Sequence, residues 1–594
     1  MQFWRKRSAR LAGRLVLLVR PRVGRRRART RGLTALLSVS VLWGAAATAW
    51  AGPAGGLTVE GCVATSGAAV GCVNLPAGTD TDPVGVAVSP NGRSVYVAAY
   101  DRVEHFFAAS NGALNYDGCV SNDGSGGACA DIPGTAAPLT GAFGVAVSPD
   151  GRSVYVASNG GLDSDATVSH FFAAAQGQLS WDGCVSDTGL GGACAVLPSV
   201  VLLGLKGIAV SSSGAVYAVS SEGVSHFYAA PQGQLTWDGC VGYMTAGCTA
   251  VPSAAFARPD SIVVSADGKS VYVTSEGDNG GAVSHFFVAP AGQLSWDGCV
   301  SDDGTGGFCA DVPGTATPLE LADAVAVSAN GRSVDVASSG GVVSHFFAAA
   351  HGQLSWDGCV SDDGSGGSCA DIPGSGSPLA GADSVSLSAD GRSAYVGASP
   401  DVGGQGSRAV SVFGVAAQGQ LTYQTCLADA GADGCASPPG SPIGGVRSIA
   451  LSSDGRSLYI ASPGLGSVAH FTRATASGGT TAPVLSSLAI TPSAFTAAPG
   501  GPAIVVTPSS RFGTNITYQL TAAASVRFVV SHTVAGGRVI TVGSFTQAGA
   551  AGVNSIRFSG RINGTRLPVG AGYTLTATPA AGKPVKTTFR IKPG

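Results

Sequence analysis

One unit, repeated seven times, constrains this chain more than any other feature. It is clearest between Gly144 and Pro198, which read GVAVSPDGRSVYVAS, then VSHFFAA, then QGQLSWDGCVS, then GGACAVLP. The turn glycine of that unit recurs at Gly92, Gly151, Gly214, Gly268, Gly331, Gly391 and Gly455, at intervals of 54 to 64 residues. Self-similarity at such a period means that one supersecondary unit has been stacked repeatedly.

Each copy contains four strand-like runs separated by turn chemistry. In the second copy these are Val145–Val147, Ser153–Ala157, Val168–Phe172 and Leu179–Asp182. Ser148-Pro149-Asp150-Gly151 joins the first two. Proline presets φ, Asp tolerates the next position, and Gly supplies the positive φ that closes the hairpin. Gln176-Gly177-Gln178 turns the third run into the fourth. Four short antiparallel strands repeated radially make a propeller blade, and radial closure protects sheet edges from aggregation. The seventh copy, Ser448 to Arg473, has only three strands. Its missing fourth is present at the other end, where Leu57–Val63 (LTVEGCV) matches Leu179–Val185 (LSWDGCV). The expected fold is all-β: a seven-bladed β-propeller over residues 57–473, closed by its N-terminal strand.

All 14 cysteines fall into pairs, one per unit: Cys62/Cys72, Cys119/Cys129, Cys184/Cys194, Cys240/Cys248, Cys299/Cys309, Cys359/Cys369 and Cys426/Cys435. An even count at repeated spacing in an exported chain predicts disulfides. Crosslinks between blades are the rival connectivity. Two copies shorten the gap to eight and nine residues, as expected if each pair closes its own loop. Tight zinc-ligand spacing is missing. The acidic, Gly-rich loop Ser301–Gly307 offers oxygen ligands to calcium without a full set, and reads first as a solvated turn. No metal and no cofactor is expected.

Residues 1–51 carry 12 Lys/Arg and no Asp or Glu. An apolar run, Leu33 to Thr48, follows the basic stretch and ends in Ala49-Trp50-Ala51, the pattern of a secretory signal peptide. Arg25-Arg26-Arg27 raises a twin-arginine route, and an uncleaved anchor is the alternative to cleavage. Without this segment, 22 Lys/Arg face 36 Asp/Glu, a net charge of about −14. An acidic body lacks the basic footprint that nucleic-acid binding needs. The expected location is secreted or cell-envelope, with no membrane span after cleavage.

Ser148-Pro149-Asp150-Gly151-Arg152-Ser153-Val154-Tyr155-Val156 and its counterparts resemble the lactonase-like β-propeller superfamily, which includes 6-phosphogluconolactonase-type and YVTN-repeat proteins. The resemblance spans roughly residues 57–474, and the GCVS…GG…C loops are similar to those of exported bacterial members. It implies the fold strongly and activity weakly, because the motifs are structural. Lactonase-type enzymes of this fold draw His, Glu and Arg together at the channel, whereas no histidine lies at the divergent positions here.

Residues present in every copy build the blade, so function belongs where copies differ. His105, His170, His226, His285, His345 and His470 share one third-strand position, and Val412 replaces them in the sixth copy. They are expected to be buried structural histidines. Trp181, Trp237, Trp296 and Trp356 are expected to pack blades. The divergent positions ahead of the innermost strands are Lys206, Arg258, Asp260, Glu320, Asp323, Asp383 and Arg447, and they form the candidate ligand site. The loops between second and third strands add Asp101, Arg102, Asp163, Asp165, Glu222, Glu276, Asp278 and Arg408.

After a small, polar linker at 474–482, apolar-alternating runs predict a small immunoglobulin- or fibronectin-like β-sandwich over 483–594. The expected function is non-catalytic binding of a polar small molecule, or of a cell-envelope or protein surface. The alternative is lactone hydrolysis with Asp323 or Asp383 as general base and Arg447 stabilising the oxyanion. Convergence of Asp260, Asp323, Asp383 and Arg447 across the channel, against splaying into solvent, tests whether a site exists.

Overall fold

The computed structural model describes residues 55–593, except 66–70, 77–78, 80–81, 162–164, 231, 244, 246, 253–255, 278–279, 400–406, 417–418, 475–483, 502, 505–511, 522–523, 535–537, 550–551, 563 and 580–582. The signal segment, most of the linker, Asp163 and Asp278 therefore lie outside the described residues.

Seven β-sheets account for the repeats among the described residues. Sheet one runs from its inner strand Pro83–Val88 through Ser94–Ala99 and Arg102–Ala108 to Leu114–Ser121, each antiparallel to the last. The inner strands of sheets two to seven are Ala142–Val147, Gly207–Val210, Pro259–Val264, Ala322–Val327, Ala382–Leu387 and Ser448–Leu451. In each turn after these strands the glycine has φ between +64° and +91°, the left-handed region that only Gly enters without strain. The fourth strand runs further than the alternation suggested, to Ser186 in sheet two, past a bulge opposite His170/Phe171. Six sheets also carry a two-residue fifth strand that the sequence did not announce. In sheet one it is Ala130–Asp131, parallel to the fourth.

Sheet seven takes its fourth strand from the other end of the chain. Leu57–Ala64 pairs antiparallel with Ser467–Arg473, with Leu57 opposite Arg473 and Cys62 opposite Ala469. Inner strands pack in succession, and Ser448–Leu451 returns to Pro83–Val88, so the ring closes as a β-propeller. Apolar residues fill the spaces between neighbouring sheets. Tyr459, Ala461 and Val468 of sheet seven form one buried cluster with Val95, Val97 and Phe106 of sheet one.

Polar bonds also cross most of these interfaces. The second-strand tyrosines Tyr96, Tyr155, Tyr217, Tyr272, Tyr395 and Tyr459 donate to Gly177, Gly233, Gly292, Gly352, Gly55 and Gly112 carbonyls of the next sheet, at 2.8–3.1 Å. Sheet five has Asp335 at that position, fully buried, and neither carboxylate oxygen has a hydrogen-bond partner. The third-strand histidines are buried, as expected, and His105, His170, His285 and His345 place Nδ1 2.9–3.0 Å from Asp117, Asp182, Asp297 and Asp357. Burial holds these imidazoles below their usual pKa, against the pull of the aspartates. Trp181 and Trp356 pack edge-to-face on Phe171 and Phe346.

Every cysteine pair closes its own loop, so the rival crosslinks between blades do not form. Cys62 bonds Cys72, Cys119 bonds Cys129, Cys184 bonds Cys194 and Cys240 bonds Cys248. Cys299 bonds Cys309, Cys359 bonds Cys369 and Cys426 bonds Cys435. The first cysteine of each pair lies in a fourth strand. In six sheets the second directly precedes the short fifth strand, as Cys72 precedes Val73–Asn74 and Cys369 precedes Ala370–Asp371. In sheet six, Cys435 precedes Ala436, which bridges Leu427 in parallel. This parallel return holds the paired Cα atoms 4.6–4.8 Å apart, within the reach of a disulfide. The acidic loops between the cysteines use their carboxylates on nearby backbone. Asp123 and Asp363 accept from Ser125 and Ser365 N–H at 2.8 Å, and Asp302 accepts from Leu319 N–H at 2.9 Å.

Beyond the repeats, Leu485–Thr491, Thr514–Leu520 and Gly552–Phe558 form one sheet. A second contains Ala494–Phe495, Val585–Ile591, Gly570–Pro579, Ala524–Thr533 and Val539–Gly549. Ile516, Tyr518 and Phe558 of the first share a core with Phe528, Leu575 and Phe589 of the second. In the strands Val539–Gly549 and Val585–Ile591, Thr, Ser, Gly and Lys dilute the apolar alternation. No helix among the described residues is long and apolar enough to cross a membrane.

Candidate binding site at the channel mouth

The residue eight positions before each turn glycine sits at the start of the innermost strand. In chain order these are Val84, Phe143, Lys206, Asp260, Asp323, Asp383 and Arg447. Register equivalence carries all seven to one place, where they line a single cavity of about 220 Å³. A second cavity, of about 210 Å³, shares Phe143, Lys206, Asp260, Asp323 and Arg447 with it. Asp260, Asp323, Asp383 and Arg447 therefore converge rather than splay.

The ring has two unlike arcs. Val84 and Phe143 make an apolar wall, and the Arg447 guanidinium lies over the Phe143 ring, 5.3 Å from its centroid. The other arc is charged and internally paired. Lys206 Nζ lies 2.8 Å from both Asp260 Oδ1 and Glu276 Oε1, and Arg447 Nη1 donates to Asp383 Oδ2 at 2.8 Å. Ser339 N–H donates to Asp323 Oδ2 at 3.1 Å.

Burial and neighbouring negative charge set the protonation of this arc. Burial, then the Asp260 and Asp383 charges, push the Asp323 carboxyl up to about 7, against the Ser339 hydrogen bond. Burial also raises Asp383, which the Arg447 cation partly restrains. Burial alone would lower the Lys206 pKa, but Asp260 and Glu276 together outweigh it and raise it. Asp323 thus keeps its proton up to about pH 7, beside Asp260, while Lys206 remains cationic.

Two of the expected ligand residues stand apart from the cavity. Glu320 is exposed and accepts from Thr317 Oγ1 at 2.9 Å. Arg258 adopts a positive φ of 53°, donates to the Gly277 carbonyl and lies 3.4 Å from Glu276. Both precede their turn glycine by more than eight residues and lie in the loops ahead of the inner strands, which begin at Pro259 and Ala322. Conversely, Val84 and Phe143 belong to the ring although their apolar character hid them. Counting back eight residues from each turn glycine finds all seven.

Among the loop charges, Glu276 reaches the second cavity. Asp101 pairs with Arg102 at 2.8 Å, and Asp165 accepts from Thr188 N–H at 3.1 Å. Asp260, Glu276 and Asp323 bring carboxylate oxygens within 4.8 Å of one another, a set able to hold a cation. The Lys206 ammonium already provides positive charge to two of the three.

No protein-family model matches the chain, and no curated protein matches it. Among solved structures it is similar to a candidate 6-phosphogluconolactonase from Bacteroides fragilis, with 15% identity, 64% of this chain and 86% of that chain covered, and a TM-score of 0.39. A candidate 6-phosphogluconolactonase from Bacteroides uniformis gives 18% identity, 64% and 88% coverage, and a TM-score of 0.39. The β-propeller domain of Myceliophteria thermophila Cps50 (Swd1) gives 11% identity, 70% and 99% coverage, and a TM-score of 0.41. At these values the likenesses say nothing of substrate or chemistry. The architecture rests on the pairing and closure described above.

Proposed function

We propose that the channel mouth binds a small, uncharged, hydroxyl-rich molecule. In this reading the chain is an extracytoplasmic seven-bladed propeller, stapled by its disulfides and followed by an immunoglobulin-like domain. The observation that carries it is the convergence of seven equivalent positions on one cavity, apolar on one arc and hydrogen-bonding on the other. Arg447 is held by Asp383 and Lys206 by both Asp260 and Glu276, so an anionic ligand would have to break ion pairs. A hydroxylated ring can instead lie on Phe143 and exchange hydrogen bonds with Asp260, Asp323, Asp383, Lys206 and Arg447. The role is binding rather than turnover.

A second reading, lactone hydrolysis, is favoured by one feature: Asp323, whose carboxyl is pushed up to about 7, stands beside Asp260. Asp260 would take a proton from water as its oxygen attacks the lactone carbonyl. Arg447 would stabilise the oxyanion, and Asp323 would protonate the departing ring oxygen.

Titration calorimetry of the purified protein against sugars and sugar lactones tests both. Saturable binding that is lost in Asp323→Ala and Asp383→Ala, without lactone consumption, supports the binding reading. Asp323-dependent consumption of a lactone establishes the second. No saturable binding to any neutral hydroxylated compound overturns both.

A further inference from the structure

The acidic balance of the chain conceals two opposite bodies. Residues 52–473 carry 12 Lys/Arg and all 36 Asp/Glu, a net charge of −24. Residues 474–594 carry 10 Lys/Arg and no Asp or Glu, a net charge of +10. A segment without a single carboxylate side chain has no internal anion to balance its cations, and it carries a positive field.

The strand register shows where part of that charge lies. In the five-stranded sheet, Val526, Phe528, Val530, Leu575, Ala577, Phe589 and Ile591 point into the core. The alternate residues form the outer face, since side chains alternate along a strand. Lys586 lies opposite Thr576, which lies opposite Val529, itself opposite Ser544. Thr588, Thr574, Ser531 and Thr541 make the next row, and Thr578, Arg527 and Thr546 the row on the other side. Arg590 continues the Lys586–Thr588 column, and Arg527, Lys586, Thr588 and Arg590 are all exposed. The face is therefore three cations set among hydroxyls.

Strand spacing puts Arg527 about 12 Å from Lys586, and Lys586 about 13 Å from Arg590, between Cα atoms. Cations so spread suit charges repeated along a chain better than one small anion. The surrounding Thr and Ser hydroxyls suit a partner that is itself rich in hydroxyls. No aromatic ring occupies these rows for base stacking, and the apolar side chains of the face, the half-buried Val529 and the exposed Val539 beyond the Ser531 row, are too few and too small for a membrane-inserting surface.

We propose that this face binds an acidic polysaccharide. Arg and Lys contact the polymer's anionic groups through charge-assisted hydrogen bonds, while the Thr and Ser hydroxyls contact its sugar hydroxyls. The proposal is independent of the channel site, so Asp323→Ala leaves it unchanged.

The test is binding of the purified protein to immobilised alginate, with neutral dextran, phosphatidylglycerol vesicles and duplex DNA in parallel. Alginate binds, dextran does not, and added salt weakens the complex. Replacing Arg527, Lys586 and Arg590 with Gln weakens alginate binding at least tenfold. Replacing Arg538, Arg566 and Lys583, which lie outside these rows, removes equal charge and changes affinity less than threefold. Thermal melts of both triple variants establish that they fold; if the face triple does not, the single Lys586→Gln variant is read for the same loss. Equal loss in both triples, no binding to alginate, or tighter binding to vesicles or DNA overturns the proposal.

Discussion

Arg447 donates to Asp383 at 2.8 Å, although the two residues belong to different sheets and lie 64 positions apart. Each stands eight residues before its own turn glycine. The repeat that builds the propeller therefore also assembles its candidate site, by presenting one variable position per sheet at the mouth of a common channel. Arg447→Met removes the cation that restrains Asp383. Burial then raises that carboxyl further, and ligand affinity by calorimetry falls tenfold or more. The melting temperature changes little, because a partly exposed ion pair contributes about 1 kcal/mol or less.

Buried acids make stability depend on pH in a defined direction. Asp323, Asp302 and Asp362 are pushed up to about 7, and Glu104 to about 8, each chiefly by burial. An acid whose folded pKa exceeds its unfolded value favours the fold most below the unfolded value. That contribution declines as pH rises to the folded pKa. These groups lower stability between pH 5 and pH 8, against the buried histidines, whose lowered pKa makes the fold gain as pH rises toward the unfolded His value. Asp323→Asn shows a shallower fall over the same range; an unchanged slope would contradict the assignment.

Asp335 marks the one described sheet interface that lacks a tyrosine bond. Gly419 in the next sheet has the same surroundings as its counterparts, with a His345 nitrogen and the Ser333 hydroxyl beside it, as Gly352 has His285 and Ser270. Asp335→Tyr should restore the missing bond to the Gly419 carbonyl and remove a buried, unpartnered carboxylate. The expected gain is about 1–3 kcal/mol, read as a higher melting temperature. A lower one would mean that sheets five and six pack differently from the rest.

Each disulfide closes a short loop, so its chain-entropy contribution is about 2–3 kcal/mol. Replacing Cys299 and Cys309 together with Ala lowers stability by up to that amount while the ring stays closed. Sedimentation and far-ultraviolet circular dichroism check the retained fold, and a reductant lowers the melting temperature of the unaltered protein much further.

Sequence alone made the repeat legible because turn glycines and alternating apolar residues are local signals. The strand swap was legible too, because Leu57–Val63 carries the signature that the last copy lacks. The disulfide pairing could be read from the shortened gaps of Cys240/Cys248 and Cys426/Cys435, which suit a loop closing on itself. Only part of the site was readable. Asp260, Asp323, Asp383, Arg447 and Lys206 announced themselves by charge, but Val84 and Phe143 look like ordinary strand residues until register places them. Arg258 and Glu320 carried the right charge at the wrong register. The basic C-terminal domain was hidden by averaging its charge with that of the acidic propeller.

The most direct test of the account is a crystal structure of the protein soaked with a hydroxylated lactone or sugar that calorimetry identifies as a ligand. Density is expected in the channel mouth, stacked on Phe143 and within hydrogen-bonding distance of Asp323 and Arg447. A ligand bound elsewhere, with Asp260, Asp323, Asp383 and Arg447 turned apart into solvent, would contradict it.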